Sequence, residues 1–600
     1  MFERPGETVG GRPEIKKSPV LSLSNKQWIL RSPSPGQVDD LVHSLEVSPI
    51  VARLLVNRKV QTVEEAQAFM DSNLASLHDP FLITGMELAV NRILKAIEEK
   101  ESIHVFCDYD VDGVTSAAFL THFFRDLGIE VGHRFPERMK EGYGLNEDAI
   151  RAIRDQGASL LITADCGITA AREVELAGSL GLDVIVTDHH QVGDDGLPPA
   201  IAVLNPHRPD CAYPYRFLSG VGLAFKLAVA VRNTLHRRAG WDKARLPNMR
   251  RYLDLVALGT IADVAPLTGE NHVLTRHGLD VLTTTDKPGL VALKSVADVD
   301  NKVSARAIGF ALGPRLNAAG RLGKADCGFH LLTSFDLKEA KELAQILDQT
   351  NRERKKIQEQ VQEEAEYLIG REVSLDKDLI IVLASENFHS GVIGIVASRL
   401  VEKYFRPVVL VALEGGAGKG SARSIPKFHL HRAFTECAGH LVRFGGHAYA
   451  AGLTIEEGKV DSFRDGLNEI GNRILRKEDL IPELLIDTPL EISEIDRELY
   501  SQVSLMEPFG AENPSPVFLI RGVHISGLRL IGSEKNHVRF QAVQNKARID
   551  AVGFNLAQEF SSVDSGQGGL DLACELQVND WNGRSKMELK VLDLQVAGQQ

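Results

Sequence analysis

Cysteine is scarce in this chain: there are six in 600 residues, at positions 107, 166, 211, 327, 437 and 574, and no two form a C-x-x-C pair. That spacing offers neither a zinc knuckle nor a disulfide framework and suits a reducing cytoplasm. Long apolar runs are also missing. No stretch reaches the roughly 18 residues of a membrane span, and the N-terminal MFERPGETVGGRPEIKK lacks the apolar core of a signal peptide. The expectation is a soluble, cytoplasmic protein with no membrane role. Positive charge is not in excess either. Against 68 Lys+Arg stand 81 Asp+Glu, a formal −13, which excludes a protein that coats nucleic acid by bulk charge and leaves any polyanion to local patches.

What is present is globular. Hydrophobic residues make up 44% and charged residues 25%, with 52 Gly and 24 Pro, and the length suits about three to five domains. Residues 1–24 are polar, with Gly and Pro, and read as a flexible tail; 25–100 show helical patterning. Over 101–335 short β-rich runs alternate with helices: IHVFC (103–107), LLITA (160–164), DVIVT (183–187) and IAVLN (201–205). Such alternation predicts a parallel, doubly wound α/β sheet. Residues 336–371 hold almost no helix breaker and predict a connector helix of about 50 Å, apolar at both ends (Ala340, Leu343, Ala344, Leu347; Val361, Ala365, Leu368) and polar and solvated from Asp348 to Lys356. A second α/β domain follows over 372–480. The alternating strands of 481–600 predict a small antiparallel barrel.

Three predicted strands end alike: IHVFC runs into Asp108-Tyr-Asp110-Val-Asp112-Gly, LLITA into Asp165, and DVIVT into Asp188-His189-His190. In an open parallel sheet the carboxyl ends of the strands line one crevice, so these side chains converge. Any one of these Asp residues alone could be a turn former or a helix N-cap. Together, clustered carboxylates with one or two imidazoles call for a divalent cation, and oxygen-rich donors suit Mn²⁺ or Mg²⁺ better than zinc. Gly113, Thr115 and Ser116 open the following helix and could receive an anion. Cys107 and Cys166 adjoin the acidic motifs but read as packing residues. Asp263, in LVALGTIADVAPL, is a further candidate carboxylate.

D-x-D, a lone strand-end Asp, D-H-H and the later G-T-I-A-D-V resemble the ordered motifs of the DHH phosphoesterase superfamily. GPRLNAAGR (313–321), SENFHSGVIGIVASRL (385–400), FGGHAYAAG (444–452) and PFGAENPSP (508–516), with VARLLVNR and LHDPFLITGM, narrow the resemblance to the RecJ family of single-stranded-DNA exonucleases. The resemblance implies two metal ions, Mn²⁺ or Mg²⁺, held by Asp108, Asp110, Asp165, His189 and Asp263. It implies a catalytic set of His190 facing the scissile phosphate, Asp188 orienting its neighbour and Asp112 nearby. Some relatives place a ligand His four residues before the first Asp; His104 occupies that position but lies inside the predicted strand. The implied reaction is 5′-to-3′ hydrolysis of single-stranded DNA in recombination and repair. The implied partners are single-stranded DNA, single-strand-binding protein and a helicase.

The second α/β domain resembles DHHA1, which faces the catalytic domain across a cleft and holds nucleic acid. Between Lys419 and His447 the residues Lys419, Arg423, Lys427, Arg432 and Arg443 oppose only Glu436, a local charge of +4 with His neutral. Ser390, Arg423, Gly446 and His447 sit in the family's motifs, and Arg315 and Arg321 flank LNAAG as phosphate clamps. The C-terminal module resembles an OB-fold. Its Arg521 to Arg548 tract, with Arg529 and Arg539, is +5, and Phe518, Phe540 and Trp581 are the candidate stacking residues. Two rival readings use the same motifs: an oligoribonuclease or cyclic-dinucleotide hydrolase, which would lack the barrel, and a non-catalytic relative, which would lack the acidic residues.

Overall fold

The computed structural model describes residues 20–136, 141–142, 144–193, 196–238, 241–299, 302–321, 325–562, 569–581 and 584–598. They fold as two compact units, the larger formed by 61–476 with 503–515, the smaller by the chain up to 60 with 477–502 and 516–600.

The larger unit is built on a five-stranded, all-parallel sheet in the order Val131–Arg134, Ile103–Cys107, Leu160–Ala164, Asp183–Thr187, Ala202–Leu204. Its three central strands, Ile103–Cys107, Leu160–Ala164 and Asp183–Thr187, are mainly apolar because both faces are covered. Val105, Ile162 and Ile185 enter one core, while Phe106, Leu161, Val184 and Val186 enter the other. The expected doubly wound domain is therefore present. A second five-stranded sheet runs Leu441–Gly446, Ala450–Glu456, Ala417–Arg423, Val408–Glu414, Ile381–Ser385; only its last pair is parallel.

The connector helix spans Leu337–Glu372, capped by Asp336, whose Oδ1 accepts from the Lys338 and Glu339 N–H groups. Ala340, Ala344 and Leu347 join the first domain's core, and Val361, Ala365, Leu368 and Ile369 join the second's. The middle departs in part from expectation. Asp348, Thr350, Asn351 and Arg354 are buried, as is Gln358 beyond them, while Gln349, Arg352, Glu353, Lys355 and Lys356 are exposed as expected. The buried groups find partners: Arg354 donates to Asn351 Oδ1 and to Gln358 Oε1 (2.8 Å), and Asp348 accepts from Arg315 and Arg352. Burial of polar side chains is tolerable when their hydrogen bonds are made, which composition alone does not reveal.

The 508–516 motif also departs from expectation, since Val503–Ser515 belongs to the larger unit. The Leu267 N–H donates to Ala511 O (2.8 Å), and the buried Asn513 ties Met506 O and Pro508 O together.

In the smaller unit, Phe518–Ile531 pairs with both His537–Gln544 and Leu570–Trp581; Ala547–Gly553 and Leu570–Trp581 each pair with Arg584–Val596. The barrel is thus closed, with one parallel seam where an antiparallel one was expected. The predicted helical region 25–100 divides. Gln27–Leu30 forms a parallel ladder with Glu483–Ile486, and Trp28 Nε1 donates to Asp593 Oδ2 (2.8 Å), so the chain's start folds with its end. Phe518 and Phe540 are core residues of the barrel, not stacking platforms, and the Trp581 side chain lies outside the described residues. No described helix is long and apolar enough to cross a membrane.

Candidate metal centre and nucleic-acid interface

The strand ends meet as the parallel sheet requires. Donor atoms of Asp108, Asp110 and Asp165 lie within 4.8 Å of one another, as do those of Asp165, His189 and His190, and of Asp112, His189 and Asp263. His189 Nε2 stands 3.0 Å from Asp165 Oδ1 and 3.9 Å from both Asp112 Oδ2 and Asp263 Oδ2. Asp263 reaches the cluster as the C-cap of the Leu253–Ala262 helix.

The individual positions have local causes. Asp110 caps the Val111–Asp126 helix, its Oδ1 accepting from the N–H groups of Asp112 (2.9 Å) and Gly113 (3.1 Å). It is an N-cap and a member of the cluster at once. That cap occupies the helix start expected to receive an anion, and Thr115 and Ser116 are buried, with the Thr115 hydroxyl donating to Val111 O. Asp112 is fully buried, and the N–H groups of Gly220 and Val221 donate to its two oxygens (2.6 and 2.8 Å). It thereby anchors the start of the Gly220–Arg237 helix, whose positive end favours a carboxylate. That helix presses so closely on the strand end that a Cβ on Gly220 would lie 2.6 Å from Asp165 Cβ. Asp165 itself takes a left-handed φ of 63°, a conformation that persists only where neighbours enforce it.

Asp188 orients His190, not His189. Its Oδ1 is 2.7 Å from His190 Nδ1 and also accepts the His190 N–H, while its Oδ2 accepts from Ile168 N–H. Asn205, which sequence reading missed, completes the hold by donating to His190 O (2.8 Å). Gly220 and Asn205 carry no chemical signature; only their position beside the cluster reveals them. His104 is remote in function, bonding Gln156 Oε1 (3.0 Å) through Nε2. Cys107 and Cys166 are buried thiols whose pKa values burial raises, so neither is a thiolate donor.

The electrostatics are those of a cation site. Burial, then repulsion from Asp110, pushes Asp112 up to about 7. Burial with the charges of Asp112 and Asp110 raises Asp263 to about 8, and the same causes raise Asp165. Burial holds His189 down to about 4, so its imidazole is neutral, the form that ligates metal. Burial acts against charge on His190 too, but the bond to Asp188 outweighs it and lifts His190 to about 9. A set of hard carboxylate oxygens and one neutral imidazole fits Mn²⁺ or Mg²⁺.

The other candidates divide. Arg321 donates to Gly391 O (3.2 Å), adjacent to Ser390, and a Cβ on Gly394 would lie 3.2 Å from Arg423 Nη2, so Arg321, Ser390 and Arg423 gather around one turn. Ala450 pairs with Arg423 and accepts the His447 N–H, which brings the Gly446–His447 turn to the same end of the sheet. Gly446 has φ +134° and no room for a side chain, with Ala450 O 2.5 Å from a would-be Cβ. Arg315 does not join them. Its three nitrogens donate to Asp348 Oδ1, Ala311 O and Val296 O, which makes it a clamp on the connector helix. In the barrel, Arg529 and Arg539 are directly opposite across two strands, an unfavourable pairing that an anion would relieve, although Arg539 also bonds Glu588 (2.6 Å). The smaller unit also holds a cleft of about 640 Å³ lined by Glu491, Glu494, Asp496 and Glu498 against Arg53 and Arg521, a balance that disfavours DNA.

Family models match three segments: the DHH family N-terminal domain over residues 102–260, the DHHA1 domain over 376–472 and the RecJ OB domain over 486–593. The chain is 39% identical over 580 residues to the single-stranded-DNA-specific exonuclease RecJ of Bacillus subtilis, covering 96% of this chain and 72% of that one. Crystal structures of Thermus thermophilus RecJ superimpose with TM-scores of 0.80 (Mn²⁺ complex, 29% identity) and 0.74 (Mg²⁺ complex, 28% identity). Each spans 95% of this chain, with 80% and 79% of the other covered.

Proposed function

Because the chain belongs to the RecJ family of single-stranded-DNA-specific exonucleases, we propose that it hydrolyses phosphodiester bonds of single-stranded DNA from the 5′ end, using two Mn²⁺ or Mg²⁺ ions. One observation carries the reading: Asp108, Asp110, Asp165, His189 and Asp263, together with Asp112 and His190, form three overlapping groups whose donor atoms lie within 4.8 Å of one another. These five would hold the ions, which when bound supply water activation and charge neutralisation at the phosphoryl oxygens.

The chain's own residues do the rest. Asp188 turns His190 by a 2.7 Å bond to its Nδ1, which leaves the other ring nitrogen available to a phosphate oxygen as charge develops there. Asp112 acts one step back, fixing the Gly220 helix start against Asp165. Arg321, Ser390, Arg423, Gly446 and His447 line one end of the second sheet, where backbone and guanidinium donors would take the strand's phosphates. Arg529 and Arg539 would continue the track on the barrel. The proposal includes a cytoplasmic location and work alongside single-strand-binding protein and a helicase, in recombination and repair, with family membership as its support.

Digestion of one oligonucleotide labelled separately at each end, with Mn²⁺, Mg²⁺ or chelator, tests the reading. Mononucleotide release first from the 5′ end, abolished by chelator, is expected. Equal rates on blunt duplex and single strand would overturn strand selectivity, and metal-independent cleavage would overturn the site.

A further inference from the structure

Two of the proposed metal ligands depend on two different helix ends. Gly220, which opens the Gly220–Arg237 helix, is packed against Asp165, and Asp263 is the C-cap of the Leu253–Ala262 helix. His189 Nε2 is near both carboxylates, 3.0 Å from Asp165 Oδ1 and 3.9 Å from Asp263 Oδ2. The separation of Asp165 and Asp263 is therefore governed by how the start of one helix is held against the end of the other.

Three buried contacts make that join. Ser219, the N-cap of the Gly220–Arg237 helix, has its Oγ 2.7 Å from Thr260 Oγ1 on the Leu253–Ala262 helix. Lys226 Nζ meets Glu270 Oε1 at 2.6 Å, with side chains only 2% and 4% exposed. Asn271, beside Glu270 and fully buried, donates from one Nδ2 to Phe217 O (2.5 Å) and to Pro266 O (3.0 Å). Phe217 lies three residues before Gly220 and Pro266 three residues after Asp263. One amide thus ties the approach to the first helix to the exit from the second.

The exit needs holding. Val264, directly after Asp263, has a left-handed φ of 60°, which a β-branched residue keeps only where neighbours enforce it. Asn271 and the Tyr215 hydroxyl, which also donates to Pro266 O (3.1 Å), are such neighbours.

We propose that Asn271 is a positioning residue for the metal centre. By holding Phe217 O to Pro266 O it sets the distance between Asp165 and Asp263, with the Ser219–Thr260 pair as a second tie. The proposal rests on the nuclease reading and extends it beyond the donor set. A cation is bound tightly only where its donors are held at the spacing it requires, so slack in this brace is paid in metal affinity.

The test is calorimetric titration of Mn²⁺ into the full chain in the absence of DNA. Asn271→Ala should weaken Mn²⁺ binding roughly ten-fold, the lower end of what loss of a supporting partner costs a metal site. Thr260→Val keeps the side-chain volume and removes only the hydroxyl. It should weaken binding in the same direction, and it carries the test if N271A does not fold. Leu274→Ala, in the core on the same helix as Asn271, separates positioning from packing. It should lower the unfolding midpoint as N271A does, yet leave Mn²⁺ affinity unchanged. Unchanged affinity in N271A or T260V, or an equal loss in L274A, would overturn the brace. Absence of Mn²⁺ binding by the wild type would instead overturn the metal-dependent nuclease reading.

Discussion

Gly220 and Asp165 are packed backbone to side chain: a Cβ on Gly220 would fall 2.6 Å from Asp165 Cβ and 3.0 Å from its Cα. Asp165 already occupies a left-handed conformation, and the helix that Gly220 begins is tethered through Asp112. Gly220→Ala should therefore displace Asp165 from the cluster. The expected outcome is a fall in metal-dependent cleavage of about a hundred-fold, in line with the effect of a 1 Å misplacement. Single-turnover rates should fall while far-UV circular dichroism stays native.

Asp165→Ala removes a carboxylate shared by two of the three donor groups. Cleavage should drop by several orders of magnitude, since two of the donor groups that would hold metal lose a carboxylate. Unchanged Mn²⁺-dependent cleavage would contradict the site assignment.

Metal binding should release protons. Asp112 and Asp263 are held up to about 7 and about 8, so near neutrality a fraction of these carboxyls is protonated in the metal-free protein. A cation favours the ionised form of both, of Asp263 as a ligand and of Asp112 through its nearby charge, so affinity for Mn²⁺ should rise with pH through this range. Isothermal titration in buffers of different ionisation enthalpy should show net proton release, shrinking above pH 8.

His190 is held up to about 9 in the metal-free protein by its bond to Asp188. A raised pKa means the stabilisation from the protonated form is full below about 6.5 and is lost progressively as pH rises from there through about 9. Asp188→Asn should move the His190 titration down toward its ordinary 6.5, read from the imidazole NMR resonances. A titration still near 9 in that variant would sink the assignment.

His272 is buried between the Phe69 ring (centroids 4.4 Å apart) and Met506 O, and burial lowers its pKa from 6.5 to about 4. The sign is opposite to that of His190: the unfolded chain binds the extra proton, so stability is full above about 6.5 and lost as pH falls toward 4. The loss should be on the order of 3 kcal/mol over that window. His272→Gln should flatten this part of the stability profile in denaturant titrations.

The metal cluster was legible because its chemistry is local. Asp, Asp-x-Asp and Asp-His-His each close a run of strand residues, and a parallel sheet allows their ends only one meeting place. Arg315 shows the limit of such reading. It sits in a motif and has the right charge, yet its guanidinium is committed to Asp348 and two carbonyls. Asp110 shows that two readings of one residue can both hold, since the cap bond uses one carboxylate oxygen and leaves the other.

By itself the sequence determined the parallel catalytic sheet, the connector helix and the carboxylate–imidazole donor set, all of which follow from residue type and near-neighbour spacing. Only the tertiary structure decided that Gln27–Leu30 pairs with Glu483–Ile486, that Asp348, Thr350, Asn351 and Arg354 of the connector's polar middle are buried, and that Asp188 holds His190. The physical reason is that burial, pairing and exposure depend on partners brought together by folding from tens to hundreds of residues away. Periodicity and composition register an amino acid's preferences, not the neighbours that satisfy or override them.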